Sequence, residues 1–196
     1  MSLPSPLLVA TRNVGKYREM TALLRALSPR TELRSLREEP GYEPPEEGAP
    51  DYLGNARLKA HHAARALGLP SLADDSGLEV DALDGAPGPR SARFAGEGAS
   101  DMTNNEKLLL DLGETAERTA RYRCVVVLAW PDGHEAVGEG TCEGTIGREP
   151  RGTGGFGYDP YFLLADGRSM AELAMKEKNR LSHRARAIED LLRRLA

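Results

Sequence analysis

Two adjacent carboxylates interrupt an apolar stretch, Leu72-Ala73-Asp74-Asp75-Ser76-Gly77-Leu78, and no other feature of the chain constrains its fold as strongly. The apolar residues predict a short buried strand that ends at the carboxylates. Successive strand side chains point to opposite faces, so Asp74 and Asp75 cannot both face one site unless the strand ends or bends there. We expect one to do chemistry or hold a metal, and the other to be held by backbone or helix-terminus donors. Asp-Asp-Ser-Gly is also ordinary turn material, and these residues alone favour neither interpretation.

Strand and helix patterns alternate along the first half of the chain. Leu7-Leu8-Val9-Ala10 predicts a buried strand, and a helix that stops at Ser28-Pro29 follows it, with apolar residues at Tyr17, Met20, Leu24 and Leu27. A second helix has an apolar face from Leu53 to Leu67 and ends at Gly68.

The second half begins with a Gly/Pro-rich segment, and its elements follow from the same rules. A capping-box pattern predicts a helix from Thr103 to Leu112. The remaining elements are a hairpin of two long strands, a short strand and a C-terminal helix, predicted at Arg121 to Trp130, Glu135 to Ile146, Tyr161 to Leu164 and Leu181 to Leu195. A hairpin beside strand–helix units predicts an α/β fold with a mixed sheet. Without a linker or repeat, residues 1–196 are expected to form a single domain.

Composition excludes several classes of protein. The net charge of -4 argues against a general nucleic-acid binder, and no apolar run approaches a membrane span. Met1-Ser2-Leu3-Pro4 lacks the features of a signal peptide, so we expect a cytoplasmic protein. Cys124 and Cys142 are too few for a disulfide framework or a four-cysteine zinc site, and we expect two buried thiols.

The turn after the first strand has the character of an anion site. Backbone N–H groups at a helix N-terminus attract anions, and two cations lie among the residues of this turn, which are Thr11, Arg12, Asn13, Val14, Gly15 and Lys16. It is not a Walker P-loop, because Ala10 replaces the first glycine and Tyr17 follows the lysine. A plain capped helix with solvated cations is the alternative interpretation of this segment taken alone.

A glycine-rich loop from Arg151 to Pro160 contains two aromatic residues, Phe156 and Tyr158. Glycine lets the backbone approach a ligand closely, and an aromatic ring offers a platform for a nucleobase. A flexible loop is the alternative, but aromatic residues within a glycine run argue against it.

Two charged groups add weaker signals. Lys178, His183 and Arg184 lie at the start of the last helix, where the latter two flank the apolar stripe and can project toward a ligand. Glu46 and Glu47 lie in an acidic loop, where a carboxylate could help to hold Mg²⁺, which needs few carboxylates besides phosphate oxygens and water. Either group, taken alone, is more often a solvated surface. With the anion site and the aromatic loop, they form the inventory of a nucleoside triphosphate site.

The order of these motifs resembles the inosine triphosphate pyrophosphatase family, which removes non-standard purine nucleoside triphosphates. The matching segments span nearly the whole chain: Thr11–Lys16, Asn55–Ala60, Ala73–Leu78, Gly85–Gly88, Ser91–Arg93, Gly152–Pro160, Glu177–Asn179 and Ser182–Arg184. The resemblance implies a two-lobed α/β fold around a long mixed sheet flanked by helices, with the substrate cleft between the lobes, and a homodimer. It also implies Mg²⁺ and hydrolysis of ITP, dITP or XTP between the α- and β-phosphates.

Roles of individual residues follow from the same resemblance. Asp75 is implied to activate water and to bind the metal, with Asp74 as its supporting carboxylate, and Ser76 to contact the substrate. Thr11 to Lys16, together with Lys59, are implied to hold the phosphates. The base and ribose are assigned to Phe156, Gly157, Tyr158 and Asp159, and the purine to Lys178, His183 and Arg184.

This sequence departs from the family at Gly54, which stands where an acidic residue is usual. The second metal ligand is implied to be Glu46 or Glu47, and Glu46 is favoured. Two other functions serve as rivals to hydrolysis: an ATP-dependent phosphotransferase, for which no kinase or P-loop signature is present, and a nucleotide sensor without turnover.

Overall fold

The structure, a computed structural model, describes residues 3–195, so Met1 and Ser2 of the N-terminal segment discussed above lie outside the described part. Within it a six-stranded mixed sheet has the order β2-β1-β3-β4-β5-β6. The strands are β1 (Leu7–Val9), β2 (Leu33–Ser35), β3 (Ser71–Val80), β4 (Thr119–Ala129), β5 (Glu135–Ile146) and β6 (Phe162–Leu163). The α-helices are α1 (Val14–Leu27), α2 (Tyr52–Leu67), α3 (Asp101–Leu112), α4 (Met175–Leu181) and α5 (His183–Leu195).

The sheet is mixed, as predicted. Strand β1 pairs in parallel with β2 and β3, whereas β5 and β6 are antiparallel. The α/β fold class inferred from the sequence is therefore confirmed. None of the helices in the described residues is long and apolar enough to span a membrane.

The chain divides into two compact units. Unit 1 contains the residues up to Asp75, Cys124–Gly140 and the chain from His183 onward. Unit 2 contains Ser76–Arg123 and Thr141–Ser182. Strands β3, β4 and β5 each contribute residues to both units.

Unit 1 has a core on each face of its strands. Along β1, Leu7 and Val9 pack into a cluster with residues of α1 and α5, while Leu8 and Ala10 pack into a second cluster with the alanines of α2. This alternation is the expected consequence of strand geometry. Helix α2 ends as predicted at Gly68, which adopts the left-handed conformation (φ 65°) that glycine tolerates at a helix C-terminus.

Unit 2 has its own core. Leu78 of β3, Leu108 of α3 and Tyr122 of β4 pack there with Phe162 of β6. Both cysteines of the chain, Cys124 of unit 1 and Cys142 of unit 2, are free and buried, as expected.

The structure corrects three predictions about the elements and adds one strand that was not predicted. Strand β3 does not end at the carboxylates but continues to Val80, because Ser76–Val80 are also extended. Helix α3 begins at Asp101 with Ser100 as its N-cap, two residues before the predicted capping box. The predicted C-terminal helix is two helices separated at Ser182. Strand β2 was not predicted, because its three residues are too few to give a periodic signal.

Candidate active site

The turn between β1 and α1 presents the N-terminus of a helix with no acidic residue in its first turn. Asn13 caps this helix, since its side-chain oxygen accepts a hydrogen bond from the backbone N–H of Lys16 at 2.9 Å. The Thr11 hydroxyl accepts a hydrogen bond from the backbone N–H of Asn13 at 3.2 Å. The first helical turn, which Val14 and Gly15 open, directs its N–H groups outward. The turn is therefore suited to an anion such as a phosphate.

Arg12, which was expected to add charge to this turn, has a definite partner. Its guanidinium donates a hydrogen bond to the backbone carbonyl of Tyr42. The Tyr42 hydroxyl in turn shares a 3.0 Å hydrogen bond with Nδ1 of His62 on α2. Arg12 thereby ties the β1–α1 turn to the loop before α2, and a direct phosphate contact by Arg12 stays a prediction.

The two carboxylates of β3 extend the alternation of the strand. Leu72 belongs to the cluster that contains α1 and α5, and Ala73 belongs to the cluster that contains α2. Asp74 continues the first face and Asp75 the second, as their contacts show. Because the strand does not end at the pair, pleating separates the two carboxylates into different environments.

Asp74 lies in a buried network of charged side chains. Its Oδ2 is 3.2 Å from Nζ of Lys16 and 3.2 Å from a guanidinium nitrogen of Arg184, which also forms an ion pair with Glu19. Burial opposes ionisation, but Lys16, Arg184 and Lys59 outweigh it and hold the pKa of Asp74 well below its ordinary value of 3.8. Asp74 is thus a permanently charged counter-ion. Cationic side chains from α1 and α5 hold this second carboxylate, in addition to any of the backbone or helix-terminus donors that the sequence predicted.

Asp75 lies in a contrasting environment. The Asn55 side chain donates to its Oδ2 at 3.2 Å, and Nζ of Lys59 is 3.3 Å from its Oδ1. Burial raises the pKa of Asp75 above 3.8; Lys59 and Lys16 oppose this effect, and Asp74 adds to it. A carboxylate with a raised pKa is a better proton acceptor than an ordinary one, so Asp75 is the member of the pair that is suited to accept a proton.

The loop before α2 brings a third carboxylate to this cluster. Glu47 Oε2 is 3.1 Å from Nζ of Lys59, the same ammonium that contacts Asp75. The structure therefore favours Glu47 over Glu46 as the acidic partner of Asp75, although a metal-binding role for either stays a prediction. No group of three or more His, Cys, Asp or Glu side chains suited to a metal converges within residues 3–195. Two carboxylates beside a polyphosphate nevertheless fit Mg²⁺, which obtains its other ligands from phosphate and water.

Gly54, the departure from the family pattern, has a structural explanation. Its backbone N–H donates a 2.7 Å hydrogen bond to Asp51, the N-cap of α2. A Cβ at this position would lie 2.6 Å from Cβ of Ala49. The loop thus packs against the helix where a side chain would otherwise stand, and an acidic residue does not fit without a shift of Ala49.

The glycine loop of unit 2 is built around Asp159. Its Oδ2 accepts hydrogen bonds from Nζ of the buried Lys178 at 2.6 Å and from the backbone N–H of Phe156 at 2.9 Å. Its Oδ1 accepts one from the Tyr122 hydroxyl at 3.2 Å. Lys178 also lies over the Phe156 ring, with Nζ 5.2 Å from the ring centroid. The Tyr158 hydroxyl donates to the carbonyl of Ser91 at 2.7 Å, so this ring anchors the loop.

His183 and Arg184 open α5 of unit 1. Both side chains are buried, and the guanidinium of Arg184 is engaged by Asp74 and Glu19. The sequence predicted that His183 and Arg184 can project toward a ligand, but it did not predict these carboxylate partners of Arg184, because they lie on neighbouring elements that sequence periodicity does not reveal. A role for His183 or Arg184 in purine binding stays a prediction, as does substrate contact by Ser76.

Comparison with known proteins agrees with the fold. The Ham1 family matches residues 7–194, and the chain belongs to this family. Among its curated relatives, the dITP/XTP pyrophosphatase of Geobacter sulfurreducens is 51% identical over 185 residues, which are 93% of this chain and 92% of the relative. The dITP/XTP pyrophosphatase of Geobacillus kaustophilus is 47% identical over 188 residues, with 94% and 91% covered.

Solved structures of the family superpose closely. The Ham1 protein of Staphylococcus aureus has a TM-score of 0.84 and 39% identity, over 97% of this chain and 98% of that one. A HAM1 protein from Coxiella burnetii has a TM-score of 0.85 and 39% identity, over 98% of both chains. The resemblance drawn from the sequence motifs is thereby confirmed.

Proposed function

We propose that the protein hydrolyses non-standard purine nucleoside triphosphates, namely dITP, XTP and ITP, to the nucleoside monophosphate and pyrophosphate. One observation carries the proposal: two adjacent carboxylates of β3 lie in opposite electrostatic environments, and the one with the raised pKa contacts Lys59. The two curated relatives described above are named dITP/XTP pyrophosphatases.

In the proposed reaction, a water molecule attacks the α-phosphorus. A bond forms between the water oxygen and phosphorus, the bond to the bridging oxygen breaks in line with it, and pyrophosphate leaves. Asp75 accepts the proton of the attacking water. Lys59, Lys16 and the N-terminal N–H groups of α1 supply positive charge to the phosphate oxygens, so charge that develops in the transition state is stabilised.

Mg²⁺ belongs to the same proposal. The carboxylates of Asp75 and Glu47 are the residues that would hold it, and Glu46 is the alternative that the sequence favoured. When bound, Mg²⁺ neutralises phosphate charge and polarises the phosphorus–oxygen bonds. Lys59 contacts both carboxylates. It therefore balances their charges and provides a cation that can turn to the substrate.

We assign recognition of the base to the glycine loop. Phe156 provides the ring against which a purine stacks, and Lys178 provides an N–H donor beside that ring. A 6-keto purine offers an acceptor to such a donor, whereas the 6-amino group of adenine would leave donors facing each other. Asp159 fixes the direction of the Lys178 ammonium.

Product analysis tests the function. The protein is incubated with dITP, XTP, ITP, GTP and ATP in the presence of Mg²⁺, and pyrophosphate and orthophosphate are measured separately. We expect pyrophosphate from the first three substrates. Orthophosphate from ATP would contradict the proposal, and saturable binding of dITP with no product would establish the sensor instead. Asp75→Asn serves as the control for contaminating activity, because it removes the proposed proton acceptor at constant volume.

Two further properties are proposed on the resemblance to the family. We propose a homodimer, and the exposed apolar side chains Met102 and Leu110 of α3 are candidates for its surface. Light scattering coupled to gel filtration measures the mass directly, and a monomer at micromolar concentration would contradict the dimer. We also propose a cytoplasmic location, where a nucleotide pool is available, and fractionation of cells tests it.

A further inference from the structure

The first turns of α3 hold one residue of the glycine loop at both its backbone N–H and its carbonyl group. The backbone N–H of Gly157 donates to Oδ2 of Asp101 at 2.7 Å. Its carbonyl accepts from Nδ2 of Asn105 at 2.9 Å. The same Nδ2 donates to the backbone carbonyl of Asp101 at 2.7 Å. We call this arrangement the Gly157 clamp. It lies entirely within unit 2.

The loop needs such a restraint. Gly154, Gly155 and Gly157 surround Phe156, and a glycine loses more conformational freedom on ordering than any other residue. Gly157 has a φ of 63°, which glycine adopts readily, and an added Cβ there would meet nothing within 4 Å. Contacts at the position of a Cβ therefore do not select this backbone conformation. The two hydrogen bonds of the clamp restrain Gly157 itself, while Asp159 and the Tyr158 ring hold the residues beside it.

The restrained residue is the neighbour of the groups assigned to the base. Phe156 precedes Gly157, and its backbone N–H donates to Asp159, which also holds Lys178. A rotation of the Gly157 peptide would move the Phe156 ring relative to the Lys178 ammonium that lies 5.2 Å from its centroid. The clamp thus fixes the relation between the stacking ring and the hydrogen-bond donor.

The hydrogen bonds of the Asn105 side chain are made by its amide nitrogen, Nδ2. Its Nδ2 contacts two carbonyl oxygens, which defines the orientation of the amide. Its Oδ1 is buried and accepts no hydrogen bond within the part of the chain that the structure describes. A buried acceptor without a donor is unfavourable, so an apolar residue of similar size would suit this position as well for packing alone. The benefit of asparagine lies in the contact with Gly157.

We propose that Asp101 and Asn105 are positioning residues for purine recognition: they hold the Gly157 peptide and thereby set the geometry of Phe156 and Lys178. This inference rests on the proposed function of the glycine loop in reading the base. Neither residue touches the base in this role. Loss of the clamp reduces the preference for 6-keto purines over ATP while the hydrolytic groups around Asp75 remain intact.

Asn105→Leu is the principal test, because it keeps the volume and removes the donor. We expect kcat/KM for dITP and XTP to fall about tenfold, mainly through KM, while the small value for ATP changes less than about twofold. The ratio of the two values, measured as pyrophosphate release, is the readout. Stability alone does not move this ratio.

Asn104→Leu is the matched control. Asn104 is a buried asparagine of the same helix whose side chain hydrogen-bonds the backbone of Ala92 and Ala95 rather than Gly157. The Asn104→Leu substitution is expected to lower the melting temperature and to leave the ratio of the two kcat/KM values unchanged. An unchanged ratio in Asn105→Leu, or an equal change in Asn104→Leu, would overturn the proposal.

Asp101→Ala tests the other half of the clamp at an exposed position, where folding is less at risk. We expect the same loss of preference, and we expect Asp101→Asn, which keeps an acceptor oxygen, to restore most of it. If Asp101→Ala loses the preference and Asp101→Asn does not restore it, charge at the helix N-terminus rather than the clamp is responsible, and the role of Asp101 in the clamp is refuted.

Failure of the proposed function gives different results. If the unaltered protein releases no pyrophosphate from dITP, the enzymatic proposal fails. If it does release pyrophosphate but Phe156→Ala keeps the full preference, base recognition by the loop fails, and the clamp loses its basis with it. If Phe156→Ala loses the preference and Asn105→Leu keeps it, the clamp alone is refuted. In the Phe156→Ala background, Asn105→Leu is expected to have little additional effect.

Discussion

Substitution of the two adjacent aspartates by asparagine should separate stability from catalysis. Asp74→Asn and Asp75→Asn are the same chemical change at consecutive positions of β3, and both side chains are buried. Their environments differ: Asp74 is the ionised counter-ion of Lys16 and Arg184, whereas Asp75 has a raised pKa. We expect Asp74→Asn to be destabilising and Asp75→Asn to be inactive but stable.

The magnitude for Asp74 follows from its ion pairs. Removing one partner of a buried ion pair leaves the other charge uncompensated and costs about 3–5 kcal/mol. Arg184 is itself buried, so this cost applies to it. Glu19 still balances part of its charge. In a domain of this size, about 2–4 °C of melting temperature corresponds to 1 kcal/mol, and the expected drop is roughly 6–20 °C.

For Asp75→Asn, two effects on the free energy of unfolding oppose each other. Burial disfavours the charged carboxylate, and its replacement by a neutral amide removes that penalty while the attraction of Lys59 is also lost. We expect a change in the free energy of unfolding within about 1 kcal/mol, because the two contributions are of opposite sign and Glu47 still balances the charge of Lys59. Turnover should fall by at least about a thousandfold, since the general base is removed.

Thermal melts of both variants at neutral pH, with pyrophosphate release from dITP measured in parallel, check these values. The stability that Asp74 contributes is present above its unfolded pKa of 3.8 and is lost as the pH falls through the lowered pKa of the folded state. The difference in melting temperature between Asp74→Asn and the unaltered protein should therefore shrink below pH 3.8. Equal destabilisation by the two substitutions, or turnover in Asp75→Asn, would refute the reasoning.

Three other predictions concern the metal, the pH dependence and the packing of α5. Glu47→Gln should raise the Mg²⁺ concentration for half-maximal turnover by at least about tenfold, and Glu46→Gln by less than about twofold, in a metal titration of initial rates. Because burial raises the pKa of Asp75, its carboxyl group should titrate above pH 3.8 in the metal-free protein, as followed by NMR in a pH series without Mg²⁺, and bound Mg²⁺ should move this titration to lower pH. Gly140→Ala would place Cβ 2.2 and 2.4 Å from backbone atoms of α5 and should lower the free energy of unfolding by about 1–3 kcal/mol. Gly48→Ala, whose Cβ would meet nothing within 4 Å, should leave the free energy of unfolding unchanged. Chemical denaturation measures both variants.

Much of the fold was accessible from the sequence because it is encoded locally. The strand at Leu7–Val9, the helix that ends at Leu27 and the helix cap at Gly68 all lie where periodicity and turn chemistry placed them. The order of the motifs along the chain could also be recognised from the sequence, since each motif is a short contiguous segment. The extension of β3 through Asp75 was not, because two carboxylates and a glycine resemble a turn in any local window.

The division of labour within the candidate site shows the limit of such inference. That Asp74 and Asp75 face different environments follows from strand pleating alone. Which cations hold Asp74 depends on contacts between residues 110 positions apart in the chain, as between Arg184 and Asp74. Sequence spacing contains no signal for a pairing of that length, so the ion pairs of Arg184 were not predicted.

The sequence by itself determined the fold class, the family and the residues that carry charge and glycine flexibility, because these are properties of composition and local order. The tertiary structure decided how those residues are used. It placed Glu47 rather than Glu46 beside Lys59, set Asp74 and Asp75 on faces covered by different helices, and brought α3 onto the Gly157 peptide. Each of these results arises from packing between distant elements, which fixes the dielectric environment and the neighbours of a side chain and therefore its chemistry.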